Sequence, residues 1–413
     1  MDIIYHRAAG LDLHKKIIFV EVRCVNQQGK LERELRSFGT MTRDLLQLLD
    51  WLSERGVTHV AMEATGVLWK PVWNVLDGHF ELLLVNPREL KQVPGRKSDV
   101  KDCQWIARLL QHGLLRSSFV PDRPQRELRD LTRHRAQLQG ERTRIANRIH
   151  KLLEDANIKL GAVASDILGV SGREMLEQLA DGQKDPRKLA KLARGRMKRK
   201  IPQLELALVG AFHEHHRFML RQLLTHLKHL EQQVAQFSSR IEELLAPFLD
   251  QELVKKLRAI PGVDRTTIEN VVAEIGLDMN QFPTAHHLVS WAGMCPGNEE
   301  SAGKRKRSRT THGNRWLRRA LAESAWAATR SSNSYLAAQY RRLVGRRGKN
   351  RALVAVAHSL LVIIYEIIKH RADYKDLGPD YFIQLEPERT KRYLVRRLQQ
   401  LGYEVQLEPK HAA

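Results

Sequence analysis

Cysteine is almost missing: Cys24, Cys103 and Cys295 are the only three in 413 residues, far apart and in no CxxC pair. That excludes a disulfide framework and a cysteine-based zinc site, and leaves three ordinary reduced thiols. Acidic residues are also scarce relative to basic ones, 47 Asp plus Glu against 69 Lys plus Arg, a net charge of +22. Such an excess asks for a polyanion. Nucleic acid is the default, because every phosphate neutralised by a cation releases condensed counterions. A membrane surface would ask instead for a lipid signal or a basic amphipathic helix. The opening MDIIYHRAAG has no charged region followed by an apolar one, so no signal peptide is expected and the protein is placed in the cytoplasm. Long apolar runs are few. The best one, residues 352–368, is broken by His358, Ser359 and Glu366 and falls short of the ~20 residues a bilayer needs, so it predicts a buried helix and no membrane span.

What is present is a change of periodicity along the chain. The first hundred residues alternate strand-like and helix-like segments: AAGLDL, KIIFVEVRCV, KLERELRSFG, a helix over 42–55, VTHVAME, a helix around 69–76, then FELLLV. The order βββαβα(β) describes an RNase H-like arrangement, and it also occurs in halves of actin-like ATPases. Residues 124–154 read as one long basic helix in which Arg126, Arg129, Arg133, Arg142, Arg144 and Arg148 surround an apolar stripe, either a solvated face or the wall of a nucleic-acid groove. A polar stretch containing GRMKRK at 195–200 predicts a mobile connection. Leu220, Leu223, Leu227, Leu230, Val234, Phe237, Ile241 and Leu244 are spaced alternately by three and four, which predicts a coiled-coil seam, preferentially closed by a second copy of the chain. His213, Glu214, His215 and His216 just before it lack HExxH spacing and are expected on a solvated helix. The implied division is 1–155, an α/β domain with its basic helix; 156–249, a helical coiled-coil insertion; 250–375, a mainly α domain; and 376–413, a tail with one short basic helix.

Acidic residues recur at strand and helix ends in the first domain. Asp12 ends the first strand and Glu63 the fourth, so both emerge from adjacent strands of one sheet. Asp99 and Asp102 in GRKSDVKDCQWIARLL are three apart at a helix start and share one face. Singly each reads as a structural acid. Together four carboxylates suit hard Mg²⁺ ions that stabilise attack on a phosphodiester. The ATPase fold would place a glycine-rich phosphate loop between the first two strands, and LDLHKKI supplies no glycine there.

In the second domain, 257–276 reads as helix, PGV turn, helix: a helix-hairpin-helix whose turn meets a phosphate, or an ordinary helical hairpin. Downstream, Ser301 stands beside Gly303 and a dense set of cations, Lys304, Arg305, Lys306, Arg307 and Arg309. Such a loop can approach a nucleic-acid backbone, and a serine can attack phosphorus where a base takes its proton and cations stabilise the developing charge. Read alone, Ser301 is a loop serine. Asn314 can cap the next helix, with Arg315 and Arg318 placed to hold a phosphate.

Together GLDLHKK, AMEATG, GRKSDVKDCQWIARLL and PGNEESAGKRKRSRTTHGNRWLRRAL resemble the insertion-sequence transposases of the family numbered one hundred and ten, over residues 1 to about 375. The resemblance implies a RuvC-like, RNase H-like domain in which Asp12, Glu63, Asp99 and Asp102 form a Mg²⁺-binding DEDD set. It also implies a transposase domain whose nucleophile lies in a P-x(4)-S-x-G context, matched by Pro296, Ser301 and Gly303. Ser308, without the flanking glycine, ranks below Ser301. The partners implied are donor and target DNA and a structured non-coding bridge RNA, acted on by a homo-oligomer, a dimer or a dimer of dimers. Two competing functions are a RuvC-like nuclease or junction resolvase that uses the acids alone, and a non-catalytic RNA-binding scaffold.

Overall fold

Short strand-forming segments separated by turns and helices produce a five-stranded sheet whose central strands are buried on both faces. In a computed structural model, β1 (Arg7–Leu13), β2 (Ile17–Val25) and β3 (Leu31–Gly39) form an antiparallel meander. Helices α1 (Thr42–Glu54) and α2 (Trp69–Leu76) then carry the chain to β4 (His59–Glu63) and β5 (Glu81–Val85), which add in parallel, so the order is β3-β2-β1-β4-β5. The structure describes residues 2–87, 90, 102–296, 300–301, 304–305, 310, 312–385 and 387–407. It divides into two compact units, Met1–Pro121 and Asp122–Ala413.

The period of two assigns the faces of the sheet. Ala9, Leu11 and Leu13 of β1, with Val20, Val22, Val60 and Met62, pack beneath Leu45, Leu48 and Leu52 of α1 and Val72 and Leu76 of α2. On the other face Ala8 and Ala61 lie under Ile106, Leu109 and Leu110 of α3 (Asp102–Gln111). Helix α3 settles on β1 at Gly10, where a Cβ would lie 2.3 Å from the Ala107 nitrogen and 2.4 Å from the Cys103 carbonyl oxygen. Only glycine permits that approach. The Gln111 carbonyl at the far end of α3 accepts from the amides of Ile4 and Tyr5, which precede β1. The helix therefore runs against the direction of β1, with its first residues toward the strand's carboxyl end.

In the second unit α4 (Arg123–Asp155) starts where the Asp122 carboxylate accepts the Gln125 amide at 3.1 Å, with Pro124 in its first turn. Helix α9 (Glu214–Leu245) returns along it: Asp155 meets His216, Arg142 meets Glu231 and Arg135 reaches Ser238, so the pair is antiparallel. Leu220, Leu227 and Leu230 are buried with Leu138, Ile145, Ile149 and Leu153 of α4. The seam expected to close on a second copy is thus filled by the same chain, because α4 carries an apolar stripe of matching length. His216 is likewise not solvated; its Nε2 lies 3.0 Å from the Asp155 carboxylate and its Nδ1 accepts the His213 amide.

Between these helices the chain forms α5 (Leu160–Val163), α6 (Val170–Ala180), α7 (Pro186–Ala190), a 3₁₀ turn Gly195–Lys200 and α8 (Ile201–Ala207). Leu160, Ile167, Leu176, Leu189 and Leu204 join them to the core of α4 and α9. Residues 195–200, expected as a mobile connection, are a 3₁₀ turn whose Met197 packs on that core.

The remaining helices are α10 (Gln251–Arg258), α11 (Arg265–Ile275), α12 (Ala285–Trp291), α13 (Arg315–Ala328), α14 (Tyr335–Arg347), α15 (Lys349–His370), α16 (Tyr381–Leu385) and α17 (Pro387–Gln400), with a two-stranded pair, β6 (Glu300–Ser301) and β7 (Lys304–Arg305), before α13. Among the described residues α15 is long and apolar enough to cross a membrane, yet half of its apolar window is buried inside the protein. It packs on α10, α12, α13 and α14, and its buried Tyr365 hydroxyl donates to the Phe282 carbonyl at 2.8 Å. This is a core helix, as the interrupted apolar run predicts.

Candidate catalytic acids and the serine-bearing hairpin

Gly10 and Asp12 share the face of β1 on which α3 sits, and Ala61 and Glu63 share the same face of β4. The parallel register Leu11↔Met62 puts Asp12 and Glu63 side by side at the carboxyl ends of neighbouring strands. Asp102 opens α3, at the end of the helix that points toward the same edge. Three of the four expected acids thus issue from one face and one end of the sheet. Asp99 lies outside the described residues. Asp12 accepts from or pairs with His14 Nε2 at 3.1 Å, and Glu63 accepts the Thr65 hydroxyl at 3.3 Å. Among the described residues no three His, Cys, Asp or Glu side chains close into a cation cage.

Farther along that face lies a buried polar network that the sequence reading missed. Glu21, opposite Gly10 in the register, pairs with Arg23 at 3.3 Å, and Arg23 Nε donates to Gln111 Oε1 of α3 at 2.9 Å. Burial pushes the Glu21 carboxyl up, with the Arg23 charge opposing the shift. The available signal was two opposite charges at i and i+2 of an apolar strand, on the face that α3 covers.

In the second unit Ser301 stands opposite Lys304 in the register of β6 and β7, and Glu300 opposite Arg305. The side chains of these four residues, and all of Lys306, Arg307, Ser308, Arg309 and Gly303, lie outside the described residues. The flanks are held together: Pro296 bridges Thr310, and Gly313 lies so close to Ala292 and Gly293 that a Cβ would be 2.2 Å from their backbone atoms. Arg318 Nη2 donates to the Thr310 hydroxyl at 3.2 Å, and the exposed Arg315 guanidinium lies 4.7 Å from the Trp316 ring centroid. The Asn314 side chain caps α13, accepting the amides of Trp316 and Leu317.

Comparison with known proteins bears on both halves. An IS110-type DEDD transposase family model matches residues 9–158, and a second, described as the transposase IS116/IS110/IS902 family, matches residues 254–341. The chain belongs to the IS110 family of transposases. It is 26% identical over 300 residues to the transposase for insertion sequence element IS1111A of Coxiella burnetii, covering 71% of this chain and 72% of that protein. It is also 26% identical over 308 residues to an uncharacterized 43.6 kDa protein of insertion element IS110 from Streptomyces coelicolor, covering 69% and 74% of the two chains. Membership makes this an enzyme that acts on DNA, and the DEDD designation implies a divalent metal. All four expected acids fall within the first matched segment, and Ser301 with its cations falls within the second.

In this IS110-family chain the Asn314 cap was expected, while the acids behind it, Glu274 and Glu269, were missed from sequence. Asn314 Nδ2 donates to Glu274 Oε2 at 2.6 Å, and the same carboxylate accepts Arg133 Nε and Nη2 of α4 at 2.7 and 2.8 Å. Arg129 Nε lies 3.5 Å from it and donates to the Ala273 carbonyl at 3.0 Å. Burial pulls the Arg129 guanidinium down to about 10, which leaves it charged at neutral pH. Arg135 meets Glu269 at 2.6 Å one turn earlier on α11. At the PGV turn, left open between a phosphate-meeting hairpin and an ordinary helical one, a Cβ at Gly262 would lie 2.3 Å from the Ser324 carbonyl, and the Asp264 carboxylate caps α11 by accepting the Thr267 amide.

Proposed function

We propose that the protein cuts and rejoins donor and target DNA of an insertion sequence through a RuvC-like DEDD site and a serine nucleophile, guided by a non-coding bridge RNA in the cytoplasm. The observation that carries this reading is the convergence of Asp12, Glu63 and the start of α3 on one face and one end of the sheet. The strand order β3-β2-β1-β4-β5 supports an RNase H-like fold for the first unit. Asp12, Glu63, Asp99 and Asp102 offer only oxygen donors, which fits Mg²⁺. When bound there, Mg²⁺ supplies charge stabilisation to the phosphodiester oxygens.

Ser301 Oγ attacks phosphorus, a carboxylate takes its proton, and the sugar oxygen of the cleaved strand leaves and is protonated. The strand is held as a phosphoserine ester. A free sugar hydroxyl of the second DNA then attacks that ester and releases Ser301, so no external energy source enters. Lys304, Arg305, Lys306, Arg307 and Arg309 hold the backbone electrostatically, with Arg315 and Arg318 at the start of α13 beside them. Holding two DNA ends calls for a homo-oligomer, whose contacts lie elsewhere than the filled α9 seam.

Ser301→Ala should retain DNA and RNA binding, because the cations remain, and yield no denaturant-stable protein–DNA adduct. Asp12→Ala should lose cleavage without loss of thermal stability, since deleting one carboxylate relieves repulsion in the metal-free protein. Wild-type cutting by Ser301→Ala would make water the nucleophile and the protein a metal-dependent nuclease. Cutting by Asp12→Ala would remove that acid from the site.

A further inference from the structure

The net charge of +22 has to be exposed somewhere, and on the helix that reads as most basic much of it is already paired. Along α4, Arg129 and Arg133 turn onto Glu274, Arg135 onto Glu269, and Arg142 onto Glu231. These cations hold the fold together. The opposite holds for residues 184–200, in the segment between the two matched family models. There Arg187, Lys188, Lys191, Arg196, Lys198 and Arg199 are all exposed, and none makes an ion pair or side-chain hydrogen bond with any described residue. The only acid in this stretch, Asp185, is used as the N-cap of α7, accepting the Arg187 amide at 2.9 Å.

The scaffold under these cations is built. Leu189, Ala190 and Ala193 are buried, Met197 packs against the same core, and Leu204 of α8 closes it. Arg194, in the middle of the stretch, is tied to Glu174 at 2.7 Å, and Lys200 donates to the Val163 carbonyl at 2.8 Å. In a 3₁₀ turn residues three apart eclipse, so Arg196 and Arg199 stand one above the other. Six like charges held on the solvent side of one core repel one another unless an anionic partner covers them, and a fixed array loses little entropy on meeting a regularly spaced polyanion.

We propose that α7 and the 3₁₀ turn after it form a second DNA-docking surface that grips the phosphate backbone of duplex DNA away from the acids and the serine. It rests on the family's action on DNA and on neither the DEDD set nor Ser301. Duplex DNA is the occupant because it presents paired phosphates at fixed spacing to a fixed array. Residues 184–200 contain no Phe, Tyr, Trp or His to stack on unpaired bases.

The test is the salt dependence of full-length protein binding to a mixed-sequence DNA duplex. Each phosphate contact contributes about −0.9 to the slope of log affinity against log salt, so the variant with all six cations changed to Gln should lose about 2 or more from that slope. Its melting temperature should be unchanged, since the six side chains are exposed. Arg187→Lys, Arg196→Lys and Arg199→Lys together keep the charges and should keep the slope. In the wild-type protein, Lys188, Lys191 and Lys198 should be shielded from acylation when the duplex is bound. A wild-type slope in the Gln variant, or acylation of those lysines unaffected by duplex, overturns the proposal. A slope lost for a folded RNA but kept for the duplex overturns the assignment to DNA. Ser301→Ala should bind in this assay as the wild type does. Failure of the docking surface is therefore distinguishable from failure of the serine mechanism.

Discussion

At the scale of single residues the most consequential side chain outside the acids and the serine is Glu274. It is almost wholly buried, takes a two-pronged bond from Arg133, and orients the Asn314 cap of α13. Removing one partner of a buried ionic network leaves uncompensated charge, at a cost of about 3–5 kcal/mol. Glu274→Ala should therefore lower the unfolding free energy from chemical denaturation by that amount while leaving the sheet of the first unit intact, read by amide exchange. A loss below about 1 kcal/mol would mean that water replaces the carboxylate. The acids of the first unit are readable in sequence because they sit where strands end, a position where polar residues stand out against apolar runs. Glu274 and Glu269 were not readable. An acid on a helix looks solvated until the arginines that meet it, more than a hundred residues earlier, are known to be there.

At the scale of elements, the strand order of the first unit follows from two short connections and then two helical crossovers, with each strand close to its expected place. The three-and-four spacing of α9 is equally plain, but periodicity reports a stripe to be covered and says nothing of what covers it. Here α4 covers it. Leu227→Asp should accordingly unfold the α4–α9 pair, seen as loss of helical signal at lower temperature, rather than yield a folded chain of lower mass. A folded, smaller species by light scattering would restore the intermolecular seam. The 195–200 segment misled for a different reason: its many cations mask the sparse apolar residues, Leu189, Ala190, Ala193 and Met197, that fix it to the core.

At the scale of the whole molecule, the break at Pro121 and Asp122 falls just before α4, although the DEDD family match continues to residue 158. The basic helix thus belongs by packing with α9 and α11, and only by homology with the sheet. A fragment spanning residues 122–413 should fold alone with a single cooperative thermal transition, because its buried ionic network and the core of α4 and α9 are made from its own residues. A fragment that is unfolded by circular dichroism would show that the first unit is needed for its folding.

The way the serine-bearing stretch is attached has a consequence of its own. The chain leaves the helical body at Ala292 and Gly293 and re-enters it at Gly313, where the two backbones touch, with Pro296 and Thr310 bridged just beyond. Because entry and exit coincide, the neck fixes both ends of the intervening stretch at one place on the body. A change of length between those ends therefore leaves unaltered the distance that the chain has to span, and costs little in loop closure.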